Sequence, residues 1–189
     1  MNFLYFGRYK KRFAPVIDQI KDLPVNSRIL ELCFGDTYIA EYCKLTGFKW
    51  TGIDLNESFV AHARKSGYEA HFGDLTMVES LPMSDVCIMM GSLYHFHLQA
   101  PSMLMKMLKT SNALIVSEPV LNLSSSKGLA GFLAKRAASV GKGNEVFRYN
   151  RSSLMAMLEE NADPLNYHIA SVKDHGKDLV IKLIKNGRN

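Results

Sequence analysis

The stretch Arg28-Ile29-Leu30-Glu31-Leu32-Cys33-Phe34-Gly35-Asp36-Thr37-Tyr38-Ile39-Ala40-Glu41-Tyr42-Cys43 decides the fold. It opens as an apolar run over 28–33, carries one carboxylate at Glu31, and turns at Gly35. From 36 to 46 the apolar residues Ile39, Ala40, Tyr42 and Cys43 recur at helical spacing, with Gly47 as the stop. A strand, a glycine turn and a helix in that order place a ligand at the tip of the turn.

The same unit repeats outward. Residues 49–54 form a second strand, and 57–66 a helix with Asn56 as N-cap and Gly67 beyond its end. A short strand covers 68–72, and apolar strands cover 84–90 and 113–118 on either side of a helix at 101–109. Phe13, Val16, Ile17, Ile20 and Leu23 predict a helix over 13–23 before the first strand. Alternating strands and helices imply a parallel sheet covered on both faces. A further helix spans 151–161. The final runs, 167–173 and 178–185, read as a hairpin turning through Asp174-His175-Gly176. The expected fold is therefore α/β, a three-layer, Rossmann-like, mostly parallel sheet with an antiparallel edge strand from that hairpin.

The chain of 189 residues fits one domain over 1–189. Residues 1–27 read as an N-terminal helical cap and 119–151 as a basic lid insertion. No apolar run is long enough to cross a bilayer, and the start is not patterned as a secretory signal. Three scattered cysteines, Cys33, Cys43 and Cys87, build no disulfide framework and point to the cytoplasm. The net charge of +5 is unevenly spread: +4 over residues 1–30, −4 over 31–118, +5 over 119–151 and 0 beyond. The basic segments flank the apparent core. They read as a solubilising surface or as a rim around an anionic substrate.

In open α/β sheets the ligand lies beyond the carboxyl ends of the strands. Those ends supply Glu31 with Cys33 to Thr37, then Asp54, then Gly73-Asp74-Leu75, then Gly91-Ser92 with Tyr94 and His95, and last Glu118. Asp54 follows Gly35 by 19 residues, where a carboxylate accepts from the two hydroxyls of a ribose. A dinucleotide is disfavoured: the three glycine positions of its fingerprint hold Cys33, Gly35 and Tyr38, and Glu31 is a poor neighbour for a pyrophosphate. No phosphate-binding G-x-x-x-x-G-K-[ST] loop is present. The ligand that remains is a nucleoside without phosphates that carries an amino-acid group, and S-adenosylmethionine fits.

Here the sequence resembles the class I S-adenosylmethionine-dependent methyltransferases, over about residues 28–118. Glu31-Leu32-Cys33-Phe34-Gly35-Asp36-Thr37 matches the first motif, with Cys33 and Thr37 in place of glycines. Gly52-Ile53-Asp54-Leu55-Asn56 matches the ribose motif, Gly73-Asp74-Leu75 the adenine motif, and the strand at 85–96 the fourth. The resemblance implies a cofactor site formed by Glu31, Cys33, Gly35, Thr37, Asp54 and Leu55. It extends to Gly73, Asp74, Leu75, Gly91 and Ser92, with S-adenosylhomocysteine as product. Thr37 can offer its hydroxyl to the helix start or to the cofactor carboxylate. Tyr9 or Arg12 can meet that carboxylate from the N-terminal cap.

Methyl transfer from a sulfonium needs alignment more than acid–base chemistry. For a hydroxyl acceptor, His95 is the candidate general base; interior packing is its other reading. No carboxylate or cysteine sits at metal-ligand spacing from His95 or His97. An Asn-Pro-Pro-Tyr type motif for exocyclic amines of nucleic acid is missing after the fourth strand, and Cys87 lies inside it. A small-molecule acceptor follows, anionic or a saccharide or lipid precursor, held by Tyr94, His95, Arg148 and Tyr149. Three alternatives stay open: an RNA acceptor, peripheral contact with an anionic membrane, and cofactor binding without catalysis.

Overall fold

The computed structural model describes residues 9–120 and 147–187, the side chain of Tyr9 excepted. A 3₁₀ turn at Tyr9–Phe13 leads into α1 (Ala14–Ile17). Then come β1 (Arg28–Leu32), α2 (Tyr38–Thr46), β2 (Lys49–Asp54), α3 (Glu57–Lys65), β3 (Glu69–Phe72) and β4 (Ser84–Met90). A 3₁₀ helix at Leu93–Gln99 precedes α4 (Ala100–Thr110) and β5 (Ser111–Pro119). The chain closes with α5 (Arg151–Glu160), β6 (Tyr167–His175) and β7 (Asp178–Lys185).

The seven strands are ordered β3-β2-β1-β4-β5-β7-β6. β1 to β5 are parallel, while β7 runs antiparallel to both β5 and β6. The hairpin thus supplies the antiparallel strand, which inserts next to the edge and leaves β6 outermost. From β1 the chain builds outward through β2 and β3, then returns to β4 on the other side. The order reverses between β1 and β4, and at such a crossing the loops diverge and leave a crevice.

Alternation along the strands sends side chains to two cores. Leu30, Leu32, Cys87, Met89, Leu114 and Val116 pack beneath α4 and α5, with Leu104, Met107, Leu154 and Leu158 fully buried. Ile29, Val86, Ile88 and Ile115 face the other way, against Val16 and Ile20, Ile39 and Cys43 of α2, and Val60 and Ala63 of α3. The predicted apolar stripe over 13–23 is buried, but the segment is not one helix. After α1 its bonds mix spacings: Gln19 and Ile20 donate to the third carbonyl back, and Lys21 to the fourth. Pro24 only bounds the segment at its end, and nothing in the structure explains why the bonds tighten after Ile17.

Helix ends follow their cap residues. Asn56 accepts from the Ser58 amide at 2.9 Å, and Asn150 exchanges bonds with Ser153 in a capping box. Gly47, at φ 79°, closes α2. Lys106 of α4 donates to the carbonyls of Leu75 (2.7 Å) and Val78 (2.6 Å), fixing the loop after β3.

Among the described residues no helix is long and apolar enough to cross a membrane. Lys127, Lys135, Arg136 and Lys142 of the expected lid lie outside the described residues, as do Tyr5, Phe6 and Arg8 of the N-terminal cap.

Candidate functional site

The turn after β1 is held by its neighbour strand. The Cys33 amide donates to the Ile53 carbonyl at 2.7 Å, which extends the β1–β2 ladder one residue beyond the sheet. Cys33 and Gly35 both take φ 53°. That left-handed conformation is natural for Gly35 and strained for Cys33, so the cysteine stands in a place built for glycine. Burial pushes the Cys33 thiol up to about 12, and it is a packed thiol rather than a nucleophile. The Asp36 carboxylate accepts from the Tyr38 amide at 2.9 Å and so caps α2. Thr37 occupies the N-cap position, but its hydroxyl makes no capping bond, which corrects that part of its expected role.

Asp54 binds the two loops together. Its Oδ2 accepts from the Gly35 amide at 3.1 Å and its Oδ1 from the Asn56 amide at 2.8 Å. Burial raises its pKa, opposed by these amides and that of Leu55. Each oxygen keeps a second lone pair for a ligand. Leu55, next in sequence, is 59% exposed and offers an apolar surface beside the carboxylate.

Glu31 lies beneath the turn, only 1% exposed. Its Oε2 accepts from the Trp50 indole N–H at 2.9 Å. The indole in turn packs edge-on to Phe34 of the turn, ring centroids 5.3 Å apart. Desolvation pushes the Glu31 carboxyl up to about 8, against the indole hydrogen bond, with Asp36 and Asp54 adding to the rise and Arg12 opposing it. Glu31 therefore does not open onto the crevice as a hydrogen-bonding ligand. It is a buried carboxyl that supports the turn from below through Trp50.

At the end of β3, the Gly73 amide donates to the Asp54 carbonyl at 3.1 Å, which ties the loop that carries Asp74 to the end of β2. Asp74 Oδ1 accepts from the Thr76 hydroxyl (2.7 Å) and amide (2.9 Å), and these bonds hold its pKa down. Leu75 is buried in the core, so its side chain is a support for the loop.

Beyond β4, Gly91 takes φ 63°, and its amide donates to the Ser117 carbonyl at 2.6 Å. A Cβ there would stand 3.0 Å from the Arg12 guanidinium, so glycine lets this arginine lie against the backbone. Arg12 Nε sits 3.4 Å from Asp178 Oδ2, both side chains nearly fully buried. The amides of Ser92 (2.8 Å) and Leu93 (2.6 Å) donate to Glu118 Oε1, which starts the 3₁₀ helix at Leu93–Gln99. Burial lifts Glu118 to about 7, opposed by those amides and by Arg12.

The expected acceptor residues cluster. Tyr94 is buried, with the Arg148 guanidinium 3.8 Å from its ring centroid and the exposed His95 ring at 3.9 Å. His97 stacks on Phe147 at 4.1 Å, and Phe147 meets Tyr149 edge-on at 4.9 Å. Tyr149 is 3% exposed, and burial beside Glu118 pushes its phenol up to about 12. The hydroxyls of Tyr149 and Ser117 are buried without a hydrogen-bond partner among the described residues. Tyr9 begins the turn that carries Arg12, but its side chain is outside the described residues.

Sequence reasoning missed Asp178 and Trp50. Asp178 opens an antiparallel strand, so its first residue lies beside Pro119 at the carboxyl end of β5. Only the strand order reveals that. Trp50 faces Glu31 from the next strand, a pairing hidden until the register of β1 on β2 is known. Among the described residues no group of three or more His, Cys, Asp or Glu could hold a metal ion.

Comparison with solved structures decides what this arrangement belongs to. The chain superposes on the magnesium protoporphyrin IX methyltransferase of Synechocystis PCC 6803 with bound S-adenosylhomocysteine, TM-score 0.66 at 15% identity, covering 94% of this chain and 83% of that one. The fold is that of the class I, Rossmann-like methyltransferases. A chain in the complex of the Haloferax volcanii Trm112 methyltransferase activator with a methyltransferase matches with TM-score 0.71 at 12% identity, covering 96% and 93%. The methyltransferase domain of bacterial CtHen1-C matches with TM-score 0.71 at 14% identity, covering 94% and 98%. No protein-family model matches the sequence, and no curated protein matches it either. At the carboxyl ends of the strands, the Gly35–Asp54 bond joins the turns after β1 and β2, and Arg12 lies against Gly91 beyond β4.

Proposed function

We propose that the chain is a methyltransferase that uses S-adenosylmethionine and acts on a small acceptor. The observation that carries this reading is the Gly35–Asp54 hydrogen bond. It joins the turn after β1 to the acid after β2 and holds that carboxylate where a ribose would meet it.

The residues present fit the cofactor. Asp54 would take the ribose hydroxyls with its remaining lone pairs, while the exposed Leu55 would cover a face of the base. Asp74 would accept from the adenine amino group. Arg12, lying on Gly91, would pair with the carboxylate of the methionine part, and Glu31 would balance its positive charges from beneath. Cys33, Thr37 and Ser92 would line the path between these ends. When bound, S-adenosylmethionine supplies a methyl group activated on a sulfonium.

The chain itself must then orient an acceptor and keep water out. Tyr94, Phe147, Arg148 and Tyr149 would supply ring faces, one cation and two buried phenols for that purpose. Rings plus a guanidinium suit an acceptor with a planar or an anionic group. His95, exposed at the start of the 3₁₀ helix, would take a proton from a hydroxyl acceptor. A neighbour in this fold is named for a porphyrin, which is in keeping with a small acceptor.

The test is incubation of metabolite extracts and, separately, total RNA with isotopically labelled cofactor, followed by mass spectrometry. Label on a small molecule is the expected result. Label on RNA would replace the acceptor class, and cofactor binding without label in either pool would make this a binding protein without turnover.

A further inference from the structure

Trp50 and Glu31 form a buried pair directly under the Cys33–Gly35 turn, where burial favours the neutral carboxyl and the single indole donor only partly offsets it. Glu31 is 1% exposed and its Oε2 meets a neutral donor, the indole N–H, at 2.9 Å. Among the described residues, the charged and titratable groups that act on it come from several elements. β2 brings Asp54, the turn brings Asp36, and the N-terminal 3₁₀ turn brings Arg12. Cys43 of α2 and Cys87 of β4 also face it, both thiols raised by burial. One guanidinium thus stands against two further carboxylates, so an ionised Glu31 is poorly compensated in the free protein.

We propose that Glu31 is protonated in the free protein and gives its proton to solvent when a cationic sulfonium nucleoside seats over the Cys33–Gly35 turn. The inference rests on the function proposed above. An S-adenosylmethionine ammonium and sulfonium bring two positive charges above the buried carboxyl, and the carboxylate form is the one they favour. S-adenosylhomocysteine keeps the ammonium but lacks the sulfonium, so it recruits the carboxylate less. The pair then separates cofactor from product by charge, and the separation weakens as pH falls. Burial, which holds the free carboxyl near 8, agrees with this direction.

Trp50 is the single tryptophan of the chain, so its fluorescence reports on this carboxyl alone among tryptophan neighbours. The experiment is calorimetric titration with S-adenosylmethionine and with S-adenosylhomocysteine at pH 7.0, in phosphate and in Tris. The dependence of the heat on buffer ionisation counts protons released. The expected release approaches one proton for S-adenosylmethionine and is smaller for S-adenosylhomocysteine. Affinity for S-adenosylmethionine should tighten up to about tenfold per pH unit between pH 6 and 8, then level off. The Trp50 emission midpoint of the free protein, near pH 8, should move to lower pH on saturation with S-adenosylmethionine. Glu31→Gln should abolish both the release and the emission titration. If that variant does not fold, the wild-type heats and emission decide alone. Binding with no proton exchange overturns this inference and leaves the function standing. No binding of either nucleoside overturns both.

Discussion

The amide of Gly35 donates to the carboxylate of Asp54 at 3.1 Å across 19 residues of sequence. The bond ties two loops that belong to different strands, so Asp54 has a structural duty, to which the proposed function adds a ligand duty. Asp54→Ala removes both. Loss of two charge-assisted bonds to a ribose is worth about 3 kcal/mol, roughly a 100-fold loss in nucleoside affinity. Asp54→Asn keeps the shape and one acceptor oxygen, so it should melt closer to wild type yet still bind weakly. Calorimetry and thermal melting on the two variants separate the duties. Unchanged affinity in either variant would remove Asp54 from the ribose position.

Two glycines separate backbone strain from crowding. At Gly35 a Cβ would meet nothing closer than 3.8 Å, so Gly35→Ala costs only the left-handed backbone, about 1 kcal/mol. At Gly52 a Cβ would fall 2.2 Å from the Trp50 ring and 2.7 Å from Phe34. Gly52→Ala must push both rings aside and should cost about 1–3 kcal/mol. Denaturant melts should rank Gly52→Ala as the less stable, and its Trp50 emission should shift while that of Gly35→Ala stays in place.

Stability should fall as the solution becomes more alkaline through neutrality. Glu31 and Glu118 are raised from 4.5 to about 8 and about 7 by burial. Below about pH 4.5 both are protonated whether the chain is folded or not, and their contribution is fully present. As pH rises, the unfolded chain ionises first, and the contribution is lost until the folded pKa is passed. The slope is about 1.4 kcal/mol per pH unit for each group. Urea melts from pH 5 to 9 should show this decline for the wild type. The Glu31→Gln protein should decline less steeply between pH 5 and 8.

Arg12 and Asp178 hold the N-terminal turn to the start of β7, both buried. Removing one partner leaves a buried charge uncompensated, so Arg12→Ala should cost about 3–5 kcal/mol. A double-mutant cycle with Asp178→Asn, read by denaturant melts, should show that the second substitution costs much less once Arg12 is gone. Additive costs would mean that the two side chains do not act as a pair.

The alternation of strand and helix was legible because β1, β4 and β5 are largely apolar runs and caps or glycines bound the helices between strands. Asn56, Gly47 and the hairpin after β6 mark their elements by local chemistry alone. The position of a candidate site residue was legible where it lies at or just past the end of its own strand, as with Asp54 and Asp74. It was hidden where the fold brings distant segments together. Glu118 reaches back to the amides of Ser92 and Leu93, and Asp178 reaches Arg12 only because β7 is antiparallel. Over 13–23 the apolar stripe was correct while the regular helix was not, since periodicity reports which face is buried and not whether the bonds span three residues or four.

The central claim is that a sulfonium nucleoside lies across the ends of β1, β2, β3 and β4. Titration of the purified chain with S-adenosylhomocysteine in a calorimeter tests it most directly. The account predicts saturable binding of one nucleoside per chain, with a raised melting temperature in its presence. No heat and no stabilisation at millimolar S-adenosylhomocysteine would contradict it.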